Sequence, residues 1–331
     1  MDKIETYIID FSKCVLNERH GTYGGQAGLK DGVVYNKENW IIKYAKNTRG
    51  MSDVEGLSYT TAPLSEYIGS HIYQILGFDA HETLLGIRNN KLVVGCKDFR
   101  DDDELLLEIR TIKNAANAEL ADKLDRDFSE TGSQHTVNLE ELMTHLKQND
   151  ILKNIPGLEE YFWNCVVVDI LINNNDRNNG NWGILRKKGC ADRIAPIFDN
   201  GGCLSNKLPE ERILKMLSNG DAVSSSALNT VTVFRLNDKQ LTARQMLQLS
   251  IPELQDAICR LIPQMIDKQD IIAKFIQDIP VEYNGIQVCT KERAKFYIES
   301  MKCRLEKLLV PEYNKLCNSN KAQGISHCKH R

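Results

Sequence analysis

Residues 169–203 constrain the fold and the chemistry of this chain more than any other stretch. They read DILINNNDRNNGNWGILRKKGCADRIAPIFDNGGC and place two carboxylates, Asp176 and Asp199, each after an apolar segment. The segment before Asp176 is long enough for a buried helix, and residues 194–198 suit a short buried strand. Asn181 follows Asp176 by five residues. The stretch therefore predicts two polar loops, each placed at the end of a buried element.

These residue types at this spacing favour phosphoryl transfer to a hydroxyl. The reaction needs a carboxylate that takes the hydroxyl proton and oxygen ligands that hold magnesium against the phosphates. A D-x4-N segment followed by a strand-end D-x-G supplies both from two neighbouring loops. This is the strongest chemical signal in the sequence.

Composition excludes several other classes of protein. With 331 residues, 42% hydrophobic and 26% charged, the chain can bury a large core as one bilobal unit or as two domains. A net charge of -3 gives no electrostatic case for binding nucleic acid or an anionic membrane. The ten cysteines are scattered without a C-x-x-C pair, which indicates reduced thiols. The first 13 residues lack an apolar signal-peptide core, so a cytoplasmic location is expected.

Residues 6–99 read as a small, mostly β half. A glycine-rich stretch at 21–28 precedes two β-rich runs at 32–35 and 40–45. Backbone N–H groups in such a loop can approach phosphate oxygens. Taken alone, however, this spacing is more typical of an ordinary hairpin loop, because it is not a strict G-x-G-x-x-G.

Lys43 and Glu66 are two charged residues of this half that suggest a site. Strand alternation places Lys43 on an apolar face, where an ammonium needs an anionic partner. The alternative is an edge-strand lysine that discourages aggregation. Glu66 lies off the apolar stripe of a helical pattern that Pro63 opens and Gly77 ends. It either pairs with Lys43 or is a solvated surface glutamate.

Two further strands, 82–88 and 91–97, lead to a junction near residue 100, beyond which the pattern is mainly helical. Asn138 with Glu141 resembles a capping box. A polar segment at 204–230 suits a loop, and Pro263 should break or kink a helix. The predicted helices span 104–118, 138–148, 157–173, 242–249, 252–262, 264–276 and 290–309.

The glycine loop, strand lysine, helix glutamate, connector, D-x4-N and D-x-G occur in the order of the protein-kinase-like fold. The stretches LSEYIGSHIYQILGF, ETLLGIRNNKLVVGCKDF, NNDRNNGNWGIL and APIFDNGGCL carry a closer likeness. The chain resembles the HipA family of bacterial serine/threonine kinases, and within it the compact type represented by the cell-translocating kinase CtkA. The resemblance implies an α+β, bilobal fold with a β-rich N-lobe at 1–99, a helical C-lobe at 100–317 and a polar tail at 318–331.

Position by position, the resemblance implies chemical roles for five residues. Asp176 would be the general base, with Asn181 and Asp199 as Mg²⁺ ligands. Lys43 would hold the α- and β-phosphates of ATP, with Glu66 as its ion-pair partner.

The resemblance also implies further nucleotide contacts and a regulatory position. The loop with Gly24 and Gly25 would cover the nucleotide. A connector would touch adenine, made by Lys97, Asp98 and Phe99. Asn178 stands where the family usually has histidine, and its amide can still donate to a phosphate oxygen without titrating. Thr22 lies near a residue that some relatives autophosphorylate.

The sequence thus predicts an ATP- and Mg²⁺-dependent serine/threonine protein kinase that autophosphorylates and acts as a toxin or an effector. Its partners would be a protein substrate and an antitoxin or a host protein, with delivery to a host cell needing no cleavable signal peptide. Two alternatives stay open: a lipid or small-molecule kinase of the same fold, and a pseudokinase that acts by binding. The lack of a basic membrane-facing cluster opposes a lipid acceptor. The presence of lysine, both aspartates and the asparagine opposes a pseudokinase.

Overall fold

The computed structural model describes residues 8–23, 30–49, 51, 56–129 and 136–322. The chain forms two compact units, each assembled from separate segments. The first unit contains the described residues up to Phe99, with Pro196–Ala227 and Asp267–Lys302. The second contains Arg100–Ala195, Leu228–Ile266 and the described residues from Cys303 onward.

A five-stranded sheet dominates the first unit. Its strands are β1 (Ile9–Asp10), β2 (Lys30–Tyr35), β3 (Glu38–Tyr44), β4 (Thr83–Arg88) and β5 (Lys91–Lys97), in the order β1-β4-β5-β3-β2. β1 runs parallel to β4, and the other pairs are antiparallel. Asn89 and Asn90 turn β4 into β5 with φ of 52° and 57°, the conformation that tight hairpins require. The four strands predicted between residues 32 and 97 are confirmed.

The two faces of this sheet are packed differently. Ile42 belongs to an apolar cluster on one face, with Phe11, Val33, Trp40 and Val93. Because neighbouring side chains in a strand alternate, Lys43 points to the opposite face. Helix α1 (Ala62–Ile75) packs against β3, β4 and β5. As predicted, Pro63 lies in its first turn, and Gly77 follows its end with φ of 91°.

One prediction for the first unit, a loop at residues 204–230, was wrong. Residues 204–230, expected as a loop, contain helices α5 (Glu210–Leu217) and α6 (Gly220–Leu228). Glutamates at 210 and 211 lie in the first turn of α5, and Ile213 is buried, so a short amphipathic helix is stable there. A hairpin of β12 (Glu282–Tyr283) and β13 (Ile286–Gln287) precedes α9 (Lys291–Arg304).

Helices and short sheets form the second unit. The helices are α2 (Ile109–Leu124), α3 (Leu139–Gln148), α4 (Leu158–Ile172), α7 (Ala243–Leu247) and α10 (Val310–Ala322). One sheet pairs β6 (Glu104–Glu108), β8 (Gly183–Lys187) and β9 (Arg193–Ile194). The other pairs β7 (Val137–Asn138), β10 (Val231–Leu236) and β11 (Lys239–Thr242). The predicted cap is confirmed, since the Glu141 amide donates to the Asn138 side chain at 3.2 Å.

Three predictions for the second unit were wrong. Residues 104–108 were expected to be helical but form β6, because they pair with β8, far along the chain. Residues 194–198 were expected to be a strand, but β9 ends at Ile194 and Ile197 makes a single bridge to Ala80. Strands β10 and β11 occupy a region that was read as helical or as a loop.

Pro263 does not break its helix, although a break or a kink was predicted there. Helix α8 runs without a break over Pro252–Gln277. Proline removes one backbone hydrogen bond, but Ile262 and Met265 are buried on either side of it and hold the helix in place. After α9, a π-helical turn at Leu305–Leu309 leads into α10.

Within the described residues, none of the nine cysteines forms a disulfide bond. In that part of the chain, none of the helices combines the length and apolar composition that crossing a bilayer requires.

Candidate active site

Lys43 is the centre of an ion triad in the first unit. Its ammonium donates to Glu66 Oε1 at 3.1 Å and to Asp199 Oδ1 at 2.5 Å. Strand β3 lies between β5 and β2, so the edge-strand alternative does not apply. The Glu66 side chain is 3% exposed, whereas that of Asp199 is 33% exposed. Glu66 is therefore a buried partner of the lysine, and Asp199 offers oxygen to solvent.

The charges of this triad reinforce one another. Burial alone would lower the pKa of the Lys43 ammonium, but the carboxylates of Asp199 and Glu66 raise it well above its ordinary value. Burial would raise the pKa of both carboxyl groups, but Lys43 holds each below its usual value. One ammonium thus faces two ionised carboxylates at neutral pH. Burial also raises the pKa of the nearby Cys96 thiol, which stays protonated.

Helix α1 approaches the turn after Asp199 very closely. A Cβ atom added at Gly69 would lie 2.9 Å from the Asn200 side chain and 3.0 Å from Cys203 Sγ. One added at Gly201 would lie 3.0 Å from Glu66 Oε2. Small residues at both positions therefore allow the helix glutamate and the turn to share one site. Asp199 itself adopts φ of 58°, a conformation that aspartate tolerates better than most side chains.

Two buried polar residues behind Glu66 were missed by the sequence analysis. His81 Nε2 lies 3.0 Å from both Glu66 Oε1 and Ser70 Oγ. The Asn200 amide donates to Ser70 Oγ at 2.9 Å. Ser70 follows Glu66 by one helical turn, and this spacing was a usable signal. His81 carried none, because the loop before a strand has no periodicity.

The connector residues have side chains that are already engaged. Lys97 pairs with Glu38 at 2.6 Å, and the Asp98 carboxylate accepts from Arg19 at 2.8 Å. The Phe99 ring packs on Phe198 with centroids 5.7 Å apart. The sequence-predicted connector therefore has Lys97 and Asp98 directed toward protein partners.

Three other predicted residues, Thr22, Gly24 and Gly25, belong to the glycine-rich stretch at 21–28. Thr22 is exposed, and its hydroxyl donates to the Arg19 carbonyl at 2.7 Å. Gly24 and Gly25 lie outside the described residues.

Asp176 lies in a tightly hydrogen-bonded loop of the second unit that follows α4. Asn178 donates from its side chain to Asp176 Oδ1 at 3.2 Å, and Asn181 donates from its side chain to the Asp176 carbonyl. The Asn178 side chain also accepts the Gly180 amide at 2.9 Å. The loop thus orients the Asp176 carboxylate through Asn178, at the position where the resemblance expects histidine.

A buried ion pair supports this loop from behind. Arg177 Nε donates to Asp169 Oδ2 at 3.0 Å, and its Nη1 donates to the Asn181 carbonyl at 3.1 Å. The side chains of Arg177 and Asp169 are 3% and 7% exposed. Asn174 adds a donor to Asp169 at 3.0 Å. This pair was not predicted from the sequence, although a lone carboxylate inside the apolar α4 segment indicates a buried cationic partner.

Comparisons with known proteins identify the family of the chain. No family model matches the chain. The serine/threonine-protein kinase CtkA of Helicobacter pylori strain J99 is 33% identical over 261 residues, which cover 78% of this chain and 75% of that protein. The chain belongs to the family of the serine/threonine-protein kinase CtkA.

Solved structures give the same fold. The crystal structure of the Helicobacter pylori proinflammatory kinase CtkA matches with a TM-score of 0.80 at 28% identity, covering 95% of this chain and 99% of that one. HipA of Shewanella oneidensis MR-1, in a complex with HipB and operator DNA, matches with a TM-score of 0.51 at 12% identity, covering 89% and 69%. The predicted α+β, protein-kinase-like fold and the CtkA-type kinase family are confirmed, and the likeness to HipA is one of fold.

Proposed function

We propose that this kinase transfers the γ-phosphoryl group of ATP to a serine or threonine hydroxyl of a protein. The observation that carries the proposal is the ion triad of Lys43, Glu66 and Asp199. A buried lysine that is held as a cation by two carboxylates is suited to binding phosphate oxygens. The name of the Helicobacter relative supports a protein acceptor over a lipid one.

Within the triad, Lys43 and Glu66 serve nucleotide binding, and Asp199 serves cation binding. Glu66 is buried and keeps the Lys43 ammonium in place against the α- and β-phosphates. Asp199 is ionised and partly exposed, which fits a ligand for a hard divalent cation. We infer that the cation is Mg²⁺, with Asn181 as a second ligand through its amide oxygen. When bound, it neutralises charge on the phosphates.

Asp176 is the proposed general base. The acceptor oxygen bonds to the γ-phosphorus while the bond from that phosphorus to the β–γ bridging oxygen breaks, and ADP leaves. The hydroxyl proton passes to the Asp176 carboxylate. Asn178, which donates to Asp176 Oδ1, keeps that carboxylate oriented and supplies a neutral donor beside the phosphates.

The adenine ring would lie against the connector. Because the side chains of Lys97 and Asp98 bind protein partners, we infer that the connector reads adenine through main-chain atoms and the Phe99 ring. The loop with Gly24 and Gly25 would cover the phosphates. In this scheme residues 1–99 act as an N-lobe, residues 100–317 as a C-lobe and residues 318–331 as a tail.

The wider biology is proposed on the same basis. The kinase would phosphorylate itself, with the exposed Thr22 hydroxyl as one acceptor. It would act as a toxin or an effector, in the cytoplasm or in a host cell, with an antitoxin or host protein as partner and without direct binding to nucleic acid or membrane.

A transfer assay tests the proposal directly. Purified protein, labelled ATP and Mg²⁺ should label the protein itself or a protein in cell lysate. Asp176→Asn should lower the rate by about 10²- to 10⁴-fold, the usual contribution of a general base. Asp238→Asn is a matched control, because its carboxylate is 97% exposed.

The outcome separates the alternatives. Labelling of lipid vesicles but not of protein would replace the protein acceptor with a lipid. An absence of transfer to any acceptor, with ATP still bound, would favour a pseudokinase. Mass spectrometry of the autophosphorylated protein decides whether Thr22 carries phosphate.

A further inference from the structure

His81 contacts both chain segments that supply the carboxylates of the Lys43 ion triad. Its ring lies beside Glu66, and its backbone amide donates to the Ile197 carbonyl at 2.9 Å. The preceding residue, Ala80, forms a parallel bridge with Ile197. One residue therefore contacts both the helix glutamate and the segment that leads to Asp199.

The protonation of the His81 ring follows from its partners. An ionised carboxylate only accepts hydrogen bonds, so the Nε2 atom that lies 3.0 Å from Glu66 Oε1 must carry hydrogen. Glu66 Oε1 thus accepts from two donors, Lys43 and His81. Because Glu66 is 2% exposed, water cannot easily replace a donor that is lost.

A second path runs from His81 to the turn after Asp199. Its single Nε2 hydrogen is shared between Glu66 Oε1 and Ser70 Oγ, which also lies 3.0 Å away and accepts from the Asn200 side chain at 2.9 Å. Ser70 and Asn200 are each 0% exposed, and His81 is 4% exposed. A fully buried polar chain of this kind holds its members in one arrangement.

We propose that His81 is a positioning residue that fixes Glu66 against Lys43 and couples that contact to the Asp199 turn. The proposal rests on the proposed function, in which Lys43 binds phosphates and Asp199 binds the cation. His81 keeps Glu66 from following the ammonium when Lys43 turns toward a phosphate. It thereby makes phosphate binding and cation binding depend on the same buried contacts.

A bound metal ion is not needed to explain why Glu66, His81 and Cys96 lie close together. Glu66, His81 and Cys96 offer ligand atoms within 4.8 Å of one another. The Lys43 ammonium, 3.1 Å from Glu66, repels a cation at that point, and the Cys96 thiol stays protonated. The histidine is therefore better explained as a donor to Glu66 than as a metal ligand.

Two substitutions at His81 test the proposal. His81→Leu keeps the bulk of the ring but removes the donor, and His81→Gln keeps an N–H donor near the position of Nε2. We expect His81→Leu to weaken ATP binding and to lower kcat, and the two losses together should amount to about tenfold. A loss of this size is usual for a residue that orients a ligand. His81→Gln should restore most of both values. Calorimetry gives ATP affinity, and transfer assays give kcat and KM.

A double-mutant cycle with Glu66 separates positioning from general destabilisation. If His81 acts through Glu66, His81→Leu should cost little more in the Glu66→Leu background, both in ATP affinity and in the unfolding of the ligand-free protein. Additive effects, or a lower unfolding midpoint with unchanged ATP affinity, would overturn the proposal. A wild-type protein without transfer would contradict the proposed function, while the unfolding cycle would still decide whether His81 and Glu66 are coupled.

Discussion

The Lys43 triad and the Asp176 loop are assembled in opposite ways. Lys43 meets partners that lie 23 and 156 residues away in sequence. Asp176 is held by side chains two and five residues away. The triad consists of full charges with shifted pKa values, whereas the Asp176 loop is oriented mainly by neutral amides. The triad is a product of the tertiary fold, and the loop is a product of local spacing.

This difference determines which substitutions should destabilise each region. The Asp176 loop depends on one buried ion pair, Arg177 with Asp169, that fixes its exit from α4. The triad distributes its charge over three side chains, and the His81 ring lies behind them. We therefore expect a single substitution behind the loop to cost more stability than one in the triad.

The largest effect on stability is expected from Arg177→Met. It leaves the Asp169 carboxylate buried without its cation, which should lower the free energy of unfolding by about 3–5 kcal/mol. Urea denaturation followed by circular dichroism measures this value. Arg186→Met is the matched control, because Arg186 pairs with Asp192 while 39% exposed and should change stability by about 0–1 kcal/mol. Equal losses in the two variants would show that the Asp176 loop does not depend on this buried pair.

A smaller effect on stability is expected when the pH is lowered. It can be compared between the two units, because each contains a buried histidine with a lowered pKa. Burial lowers the pKa of His145 in the second unit to about 4, and burial lowers the pKa of His71 in the first unit to about 4. Because the fold prefers both rings neutral, their stabilisation is complete above pH 6.5 and is lost as pH falls toward 4.

Urea denaturation at pH 7 and pH 5 measures this loss. His145→Phe and His71→Phe should each make the decline between these pH values shallower. A wild-type protein that is equally stable at both values would contradict the assignment.

How much of the site could be predicted from the sequence depends on the same difference between local and long-range contacts. The spacing of Asp176 and Asn181 was readable because their contacts are local. The pairing of Lys43 with Glu66 was one of two open readings, since a strand and a helix must first pack together. Its contact with Asp199 was not predicted as an ion pair. The role of His81 was not readable, because its partners come from α1 and from the segment before Asp199.

The fold shows the same limits. Helix α1 and the β4–β5 hairpin were predicted because periodicity, a first-turn proline and Asn-Asn turn residues are local signals. Strand β6 was mistaken for a helix because its partner β8 is far away in sequence. The continuity of α8 through Pro263 depends on buried neighbours, which a local rule cannot include.

The most direct test of the account is the Mg²⁺-dependent binding of ATP to Asp176→Asn and Asp199→Asn, measured by calorimetry with and without the cation. Asp176→Asn should bind ATP with Mg²⁺ as the wild-type protein does, because Asp176 is proposed to act only on the acceptor hydroxyl. Asp199→Asn should lose the increase in affinity that Mg²⁺ provides. If Asp199→Asn retains that increase, or if Asp176→Asn loses it, the assignment of cation binding to Asp199 and of base chemistry to Asp176 is wrong.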